Sequence, residues 1–342
     1  QYSLAVDELK QFAEKHNIPV VETIAGRANL EHTHRLNCGP VGVTGSNSAN
    51  NLAAEADLIF AVGTRLQDFT TGSWTAFSRD ARIVGLNVAR HDAAKHMSSA
   101  VVGDARLGLT AVSRALENHV AAAGWSERAA AETRQWNNYV SGNIDPVDKA
   151  GKNRPVSYAQ IVGAVNELCE PEDRIVAAAG GLPAEVCANW RTKTTGSVAI
   201  EFGYSCMGYE IAGGWGARIA QSEVEPDADT IVFVGDGSYL LMNSDIYSSV
   251  LTKKKLIILV LDNGGFAVIN KLQNNTGNES FNNLIADAPT VPDAFAVDFT
   301  AHAASMGANA VRVDNPAELA EAFKAAKAAD KTSVIVMNVD AY

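Results

Sequence analysis

The stretch GDGSYLLMNSDIYSSVLTKKKLIILVLDN, Gly235 to Asn263, decides how the rest of the chain is read. It opens on an acidic residue between two glycines, directly after the apolar run Thr230 to Val234. It closes on Asp262-Asn263 at the end of a second run, Leu256 to Leu261, with Gly264-Gly265 beyond. Short apolar runs with a helix-length segment between them read as buried strands of a parallel α/β sheet. Ligands of such sheets sit at the carboxyl ends of the strands. If the two strands are neighbours, Asp236 and Asn263 converge on one point. Two oxygen side chains, with the Gly265 carbonyl as a third donor, suit a hard cation such as Mg2+ that keeps phosphate oxygens in its shell. A helix is expected to begin after Gly237, its free N–H groups facing a phosphate. Ser238 then caps that helix or binds the phosphate itself. Either motif alone is an ordinary Gly-rich turn; the pair at this spacing points to a metal-diphosphate clamp.

Outward from the clamp, Arg174–Ala178 and Ser333–Met337 read as further strands separated by helical patterns. Residues 156–342 are therefore expected to form a doubly wound parallel α/β domain. Residues 1–140 repeat the theme, with strands at Pro19–Val21, Leu58–Gly63 and Ala81–Val88 and a helical stretch from Thr110 to Asn137. Residues 141–155, polar and proline-bearing, read as a linker. Gly39, Gly42 and Gly45 are spaced like a dinucleotide loop. With no strand predicted to lead into them, they read as a vestigial nucleotide site.

The chain has 342 residues, 47% hydrophobic and 20% charged, with a net charge of -11. That composition is globular, and the charge argues against nucleic acid or an anionic membrane as partner. The longest strongly apolar run, Leu256 to Leu261, is too short to span a bilayer. Cys38, Cys169, Cys187 and Cys206 lack zinc or redox spacing and read as reduced thiols of a cytoplasmic protein.

The GDG and Asp-Asn pairing resembles the motif of the thiamine-diphosphate enzymes, with Asp262 where the family usually has a first Asn. The resemblance implies that Asp236, Asn263 and the Gly265 carbonyl bind Mg2+, and that the metal binds the cofactor diphosphate beside Gly235, Gly237, Ser238 and Phe266. It also implies that EFGYSCMGYEI, Glu201 to Ile211, holds the aminopyrimidine. There Met207 would prop the cofactor into its bent form, beside Cys206, and the Ser205 carbonyl would accept its 4'-amino group. Gly180-Gly181 matches a loop near the diphosphate. The runs GPVGVTGSNSANNLAAEADLIFAVGTRLQDFTTGSWTAF and INKLQNNTGNESFNNL are similar to a branch of the family that hydrolyses a C–C bond of a cyclic 1,2-diketone in inositol catabolism. On this reading the chain holds the middle and diphosphate domains only. The pyrimidine domain, with its activating glutamate, comes from elsewhere in a dimer or tetramer, so the chain alone is expected to be inactive. An acetolactate-synthase-like carboligase, a 2-oxo acid decarboxylase and a non-catalytic nucleotide-binding module remain open.

Other residues read more plainly. Glu22 is expected to be structural or a subunit contact, and His32 and His34 to lie in a solvated loop or at a subunit contact. Lys253 to Lys255 read as solubilising charges before a buried strand. Asn274, Asn275, Asn282 and Asn283 read as a polar loop over the cofactor.

Overall fold

The computed structural model describes residues 2–145, 156–288 and 297–340. The chain divides into two compact units, Gln1–Gly142 with Arg191–Gly196, and Asn143–Trp190 with Ser197–Tyr342. The first holds β1 (Val20–Glu22), β2 (Asn37–Pro40), β3 (Leu58–Val62), β4 (Arg82–Asn87) and β5 (Ser99–Val102). All pair in parallel, in two separate sheets ordered β1-β2 and β3-β4-β5. The predicted strand at Leu58 is not buried throughout: Leu58 is 47% exposed because β3 is an edge strand.

Three expectations for this unit are corrected. A strand, β2, does lead into the Gly39, Gly42 and Gly45 segment, and the helix Asn47–Glu55 follows it. The glycines there answer to chain packing. A Cβ on Gly42, at φ +116, would lie 2.1 Å from the Phe69 carbonyl oxygen, and one on Gly45 would lie 2.6 Å from that of Pro40. The helical stretch is two helices, Ala105–Leu116 and Ala123–Asn143, so the predicted linker begins as helix; residues 146–155 lie outside the described residues. His32 and His34 are tied down rather than solvated. The His32 ring and backbone N–H both meet the Thr192 carbonyl, at 2.9 Å each, and His34 contacts Glu14.

Glu22 is a buried organiser of this unit. It pairs with the Arg27 guanidinium and accepts the backbone N–H groups of Asn29 and Leu30 at 2.8 and 3.0 Å.

The second unit holds β6 (Arg174–Ala177), β7 (Val198–Ile200), β8 (Thr230–Gly235), β9 (Ile257–Asp262), β10 (Asn309–Val313) and β11 (Ser333–Asn338). They form one parallel sheet in the order β10-β11-β9-β8-β6-β7. The sequence reading missed β7 and β10, the two edge strands. Central residues Ile231 to Val234, Ile257 to Leu261 and Val334 to Met337 are at most 1% exposed, as strands covered on both faces must be. The helix Tyr209–Val224 lies so close to β8 that a Cβ on Gly214 would fall 2.4 Å from a Val232 methyl. The helix Tyr158–Leu168 opens with a capping box between Ser157 and Gln160. Lys254 and Lys255 are not merely solubilising: Lys255 pairs with Asp229 at 2.7 Å, and Lys254 donates to Ser222 at 2.6 Å.

Replacing Glu22 by alanine removes the carboxylate that pairs with the buried Arg27 guanidinium and accepts two backbone N–H groups. We expect a loss of about 3 kcal/mol in the unfolding of the first unit, read by urea denaturation.

Candidate cofactor and metal site

Strands β9, β8, β6 and β7 are successive neighbours, and each of the predicted segments leaves the carboxyl end of one of them. Asp262 to Phe266 follows β9, Asp236 to Ser238 follows β8, Gly180-Gly181 follows β6, and Ser205 to Met207 follows β7. The register sets Gly235 opposite Leu261, so β8 and β9 end level. Asp236 then meets the next loop directly: its Oδ1 lies 3.5 Å from the Asn263 backbone nitrogen. The N–H groups of Gly265 and Gly237 also point at this carboxylate.

Asp236 is 4% exposed, and no basic side chain pairs with it among the described residues. Burial first, and then the Asp262 carboxylate, push its pKa from the ordinary 3.8 up to about 6. Asp262 itself faces Arg312 at 3.6 Å. The Asn263 side chain donates through Nδ2 to the Tyr158 hydroxyl. Its Oδ1 is buried and has no hydrogen-bond partner among the described residues. A buried acceptor with no donor is costly, on the order of 1–3 kcal/mol. An unpartnered carbonyl oxygen beside an uncompensated buried carboxylate is the donor set a hard cation takes. The residues therefore fit the magnesium diphosphate group that the resemblance implies.

Gly265 is held at φ +142, and a Cβ there would fall 2.4 Å from the Asn283 carbonyl oxygen. That close approach is fixed by the Phe266 N–H, which donates to the same oxygen at 2.7 Å. The Phe266 ring lies over Gly237, where a Cβ would meet it at 2.6 Å. Gly180, at φ +101, starts the helix Gly181–Asn189 with open space where a side chain would stand.

Two expectations about Ser238 and the helix fail. The helix begins at Asp236 with Gly235 as its cap. The Ser238 hydroxyl is buried, donates to the Glu210 carboxylate at 2.8 Å and accepts the Gly208 N–H at 2.7 Å. It ties the Met207-Gly208 turn to the segment after β8 instead of capping. Asn274 and Asn275 also differ from the expected loop, closing the helix Ala267–Asn275.

Sequence reasoning missed three residues here. Glu201 accepts the N–H groups of Tyr204 and Cys206 at 3.0 and 2.9 Å, fixing the turn in which Ser205 sits at φ +55. Glu210 is 1% exposed and its carboxyl is pushed up by burial. A glutamate among the apolar residues of a buried helix face was its available signal. Tyr158 lies 105 residues before Asn263, and no local pattern marks it. Met207 is 36% exposed and Cys206 is exposed.

This is the carboxyl-edge loop cluster of a cofactor-binding α/β domain, and comparison with known proteins gives its class. Residues 1–112 match the thiamine pyrophosphate enzyme central domain, and residues 178–337 match the C-terminal TPP binding domain of the same enzymes. The chain belongs to the thiamine pyrophosphate enzymes and carries these two domains of the family. More narrowly, it is similar to proteins named 3D-(3,5/4)-trihydroxycyclohexane-1,2-dione hydrolase. The one from Geobacillus thermodenitrificans is 39% identical over 82% of this chain and 46% of the relative. One from Bacillus cereus, numbered 2, is 34% identical over 99% of this chain and 56% of the relative. That of Clostridium tetani is 34% identical over 82% and 46%. The chain spans about half the length of the curated relatives it matches. No helix among the described residues is long and apolar enough to cross a membrane.

The Asp236 shift has a defined sign in the metal-free chain. A carboxyl whose folded pKa is raised contributes stability that is full below 3.8 and lost as pH rises through about 6. The melting temperature of EDTA-treated protein is therefore expected to fall across pH 4–6 relative to Asp236→Asn, which has no such proton to lose. Parallel curves for the two proteins would contradict this.

Proposed function

We propose that this chain supplies the metal-diphosphate half of a thiamine-diphosphate enzyme that opens trihydroxycyclohexane-1,2-dione hydrolytically, giving 5-deoxy-glucuronate, in inositol catabolism. The observation that carries the cofactor half is the meeting of Asp236 with the Asn263 loop, beside an Asn263 oxygen left without a donor. The substrate half rests on the names of relatives that cover most of this chain.

In this reading Asp236, the Asn263 Oδ1 and the Gly265 carbonyl hold Mg2+, which holds the diphosphate. The N–H groups from Gly180 to Leu182 and from Gly235 to Ser238 line the same edge and receive phosphate oxygens. Ser205, held by Glu201, presents its carbonyl to the aminopyrimidine, and Met207, anchored through Gly208 and Ser238, bends the cofactor. When bound, the thiazolium ring supplies an electron sink for the acyl carbanion that C–C cleavage between two carbonyls would otherwise leave. The glutamate that activates the cofactor belongs to a pyrimidine domain outside these two units, contributed within a homo-oligomer. Cys38, Cys169, Cys187 and Cys206 form no disulfide among the described residues, which fits a cytoplasmic protein.

Two measurements test this. Thiamine diphosphate with Mg2+ should raise the melting temperature of the chain, and Asp236→Ala should abolish that rise. The dione, followed by NMR, should open only when a pyrimidine domain is supplied. Turnover by residues 1–342 alone would overturn the division of labour, and turnover of pyruvate with an inert dione would favour the carboligase reading.

A further inference from the structure

Tyr158 stands at the carboxyl edge for a reason visible in the backbone. Val156 forms a parallel bridge with Val339, just beyond β11. The Val339 N–H donates to the Asp262 carbonyl at 2.9 Å, and the Asp340 N–H to the Val156 carbonyl at 3.1 Å. Val156 is thereby stitched to the segment that extends β11, whose other side meets the end of β9, and the helix Tyr158–Leu168 begins at the level of the metal loop. The Tyr158 ring packs near Gly181, where a Cβ would stand 3.8 Å from its Cε2, and its hydroxyl accepts the Asn263 Nδ2 proton.

The consequence concerns the Asn263 amide. Its two ends have similar shape and opposite chemistry, since the oxygen can ligate a cation and the NH2 group cannot. Tyr158 engages the nitrogen end, and the oxygen end is left buried and without a partner. We propose that Tyr158 is a positioning residue for the metal, holding the Asn263 amide so that its oxygen faces the cation before the cation arrives. This rests on the metal-clamp reading above. Outer hydrogen bonds of this kind orient metal ligands, and their loss costs about 10- to 100-fold in metal affinity.

Tyr158→Phe keeps the ring and removes only the hydroxyl. With Mn2+ as the probe, thiamine diphosphate present and binding read by electron paramagnetic resonance, the dissociation constant should rise about tenfold. The melting temperature of the metal-free chain should stay where it is. In an Asn263→Asp background the same change should matter little, because a carboxylate offers oxygen at both positions. Wild-type affinity in Tyr158→Phe, or an equal loss in the Asn263→Asp background, would overturn the assignment. The two readings fail differently. If Asp236→Ala binds Mn2+ as well as the unaltered chain, or neither binds it, the clamp itself falls and this inference with it. If binding needs Asp236 but ignores Tyr158, only the positioning role is lost.

Discussion

The level ending of β8 and β9 is the constraint on which the site depends. In a parallel sheet, register decides which loops leave at the same height. Gly235 opposite Leu261 delivers Asp236 and Asp262 to one edge, where two carboxylates must share a poorly solvated space. Like charges in such a space repel more strongly than they would in bulk water, and burial, together with the Asp262 carboxylate, pushes the Asp236 pKa up. Arg312 faces one of the pair. The other, Asp236, keeps its charge uncompensated, an arrangement that a fold built for stability alone would not hold.

The surrounding segments read as supports for that arrangement. Glu201 fixes the Ser205 turn, Glu210 and Ser238 join the Met207 turn to the segment after β8, and the Asn283 carbonyl forces glycine at position 265. Each device immobilises backbone rather than adding a reactive group. That agrees with a site in which the cofactor carries the chemistry and the protein sets geometry and charge.

Much of this was legible in one dimension. Apolar runs buried on both faces located the central strands, and the acidic and amide residues at their ends located two loops that meet at one edge. The edge strands β7 and β10 were not legible, because short half-exposed segments such as Val198–Ile200 carry no continuous apolar run. Strand β2 was hidden by its own residues, Asn37-Cys38-Gly39-Pro40, in which an amide, a glycine and a proline replace the apolar run of a buried strand. Ser238 was misread because its partner, Glu210, lies 28 residues away. Tyr158 was invisible for the same reason at greater range: the hydrogen bond that gives it meaning is set by sheet topology.

The six residues Arg191–Gly196 belong to the first unit although the chain on both sides of them belongs to the second. The polypeptide therefore passes from one unit to the other three times, not once. No single cut yields both units whole. A fragment ending at Gly142 lacks the Thr192 carbonyl that accepts two contacts from His32, and one starting at Asn143 carries Thr192 and Gly196 without His32 and Ala28. Moving either unit into another chain intact therefore means rebuilding that six-residue excursion.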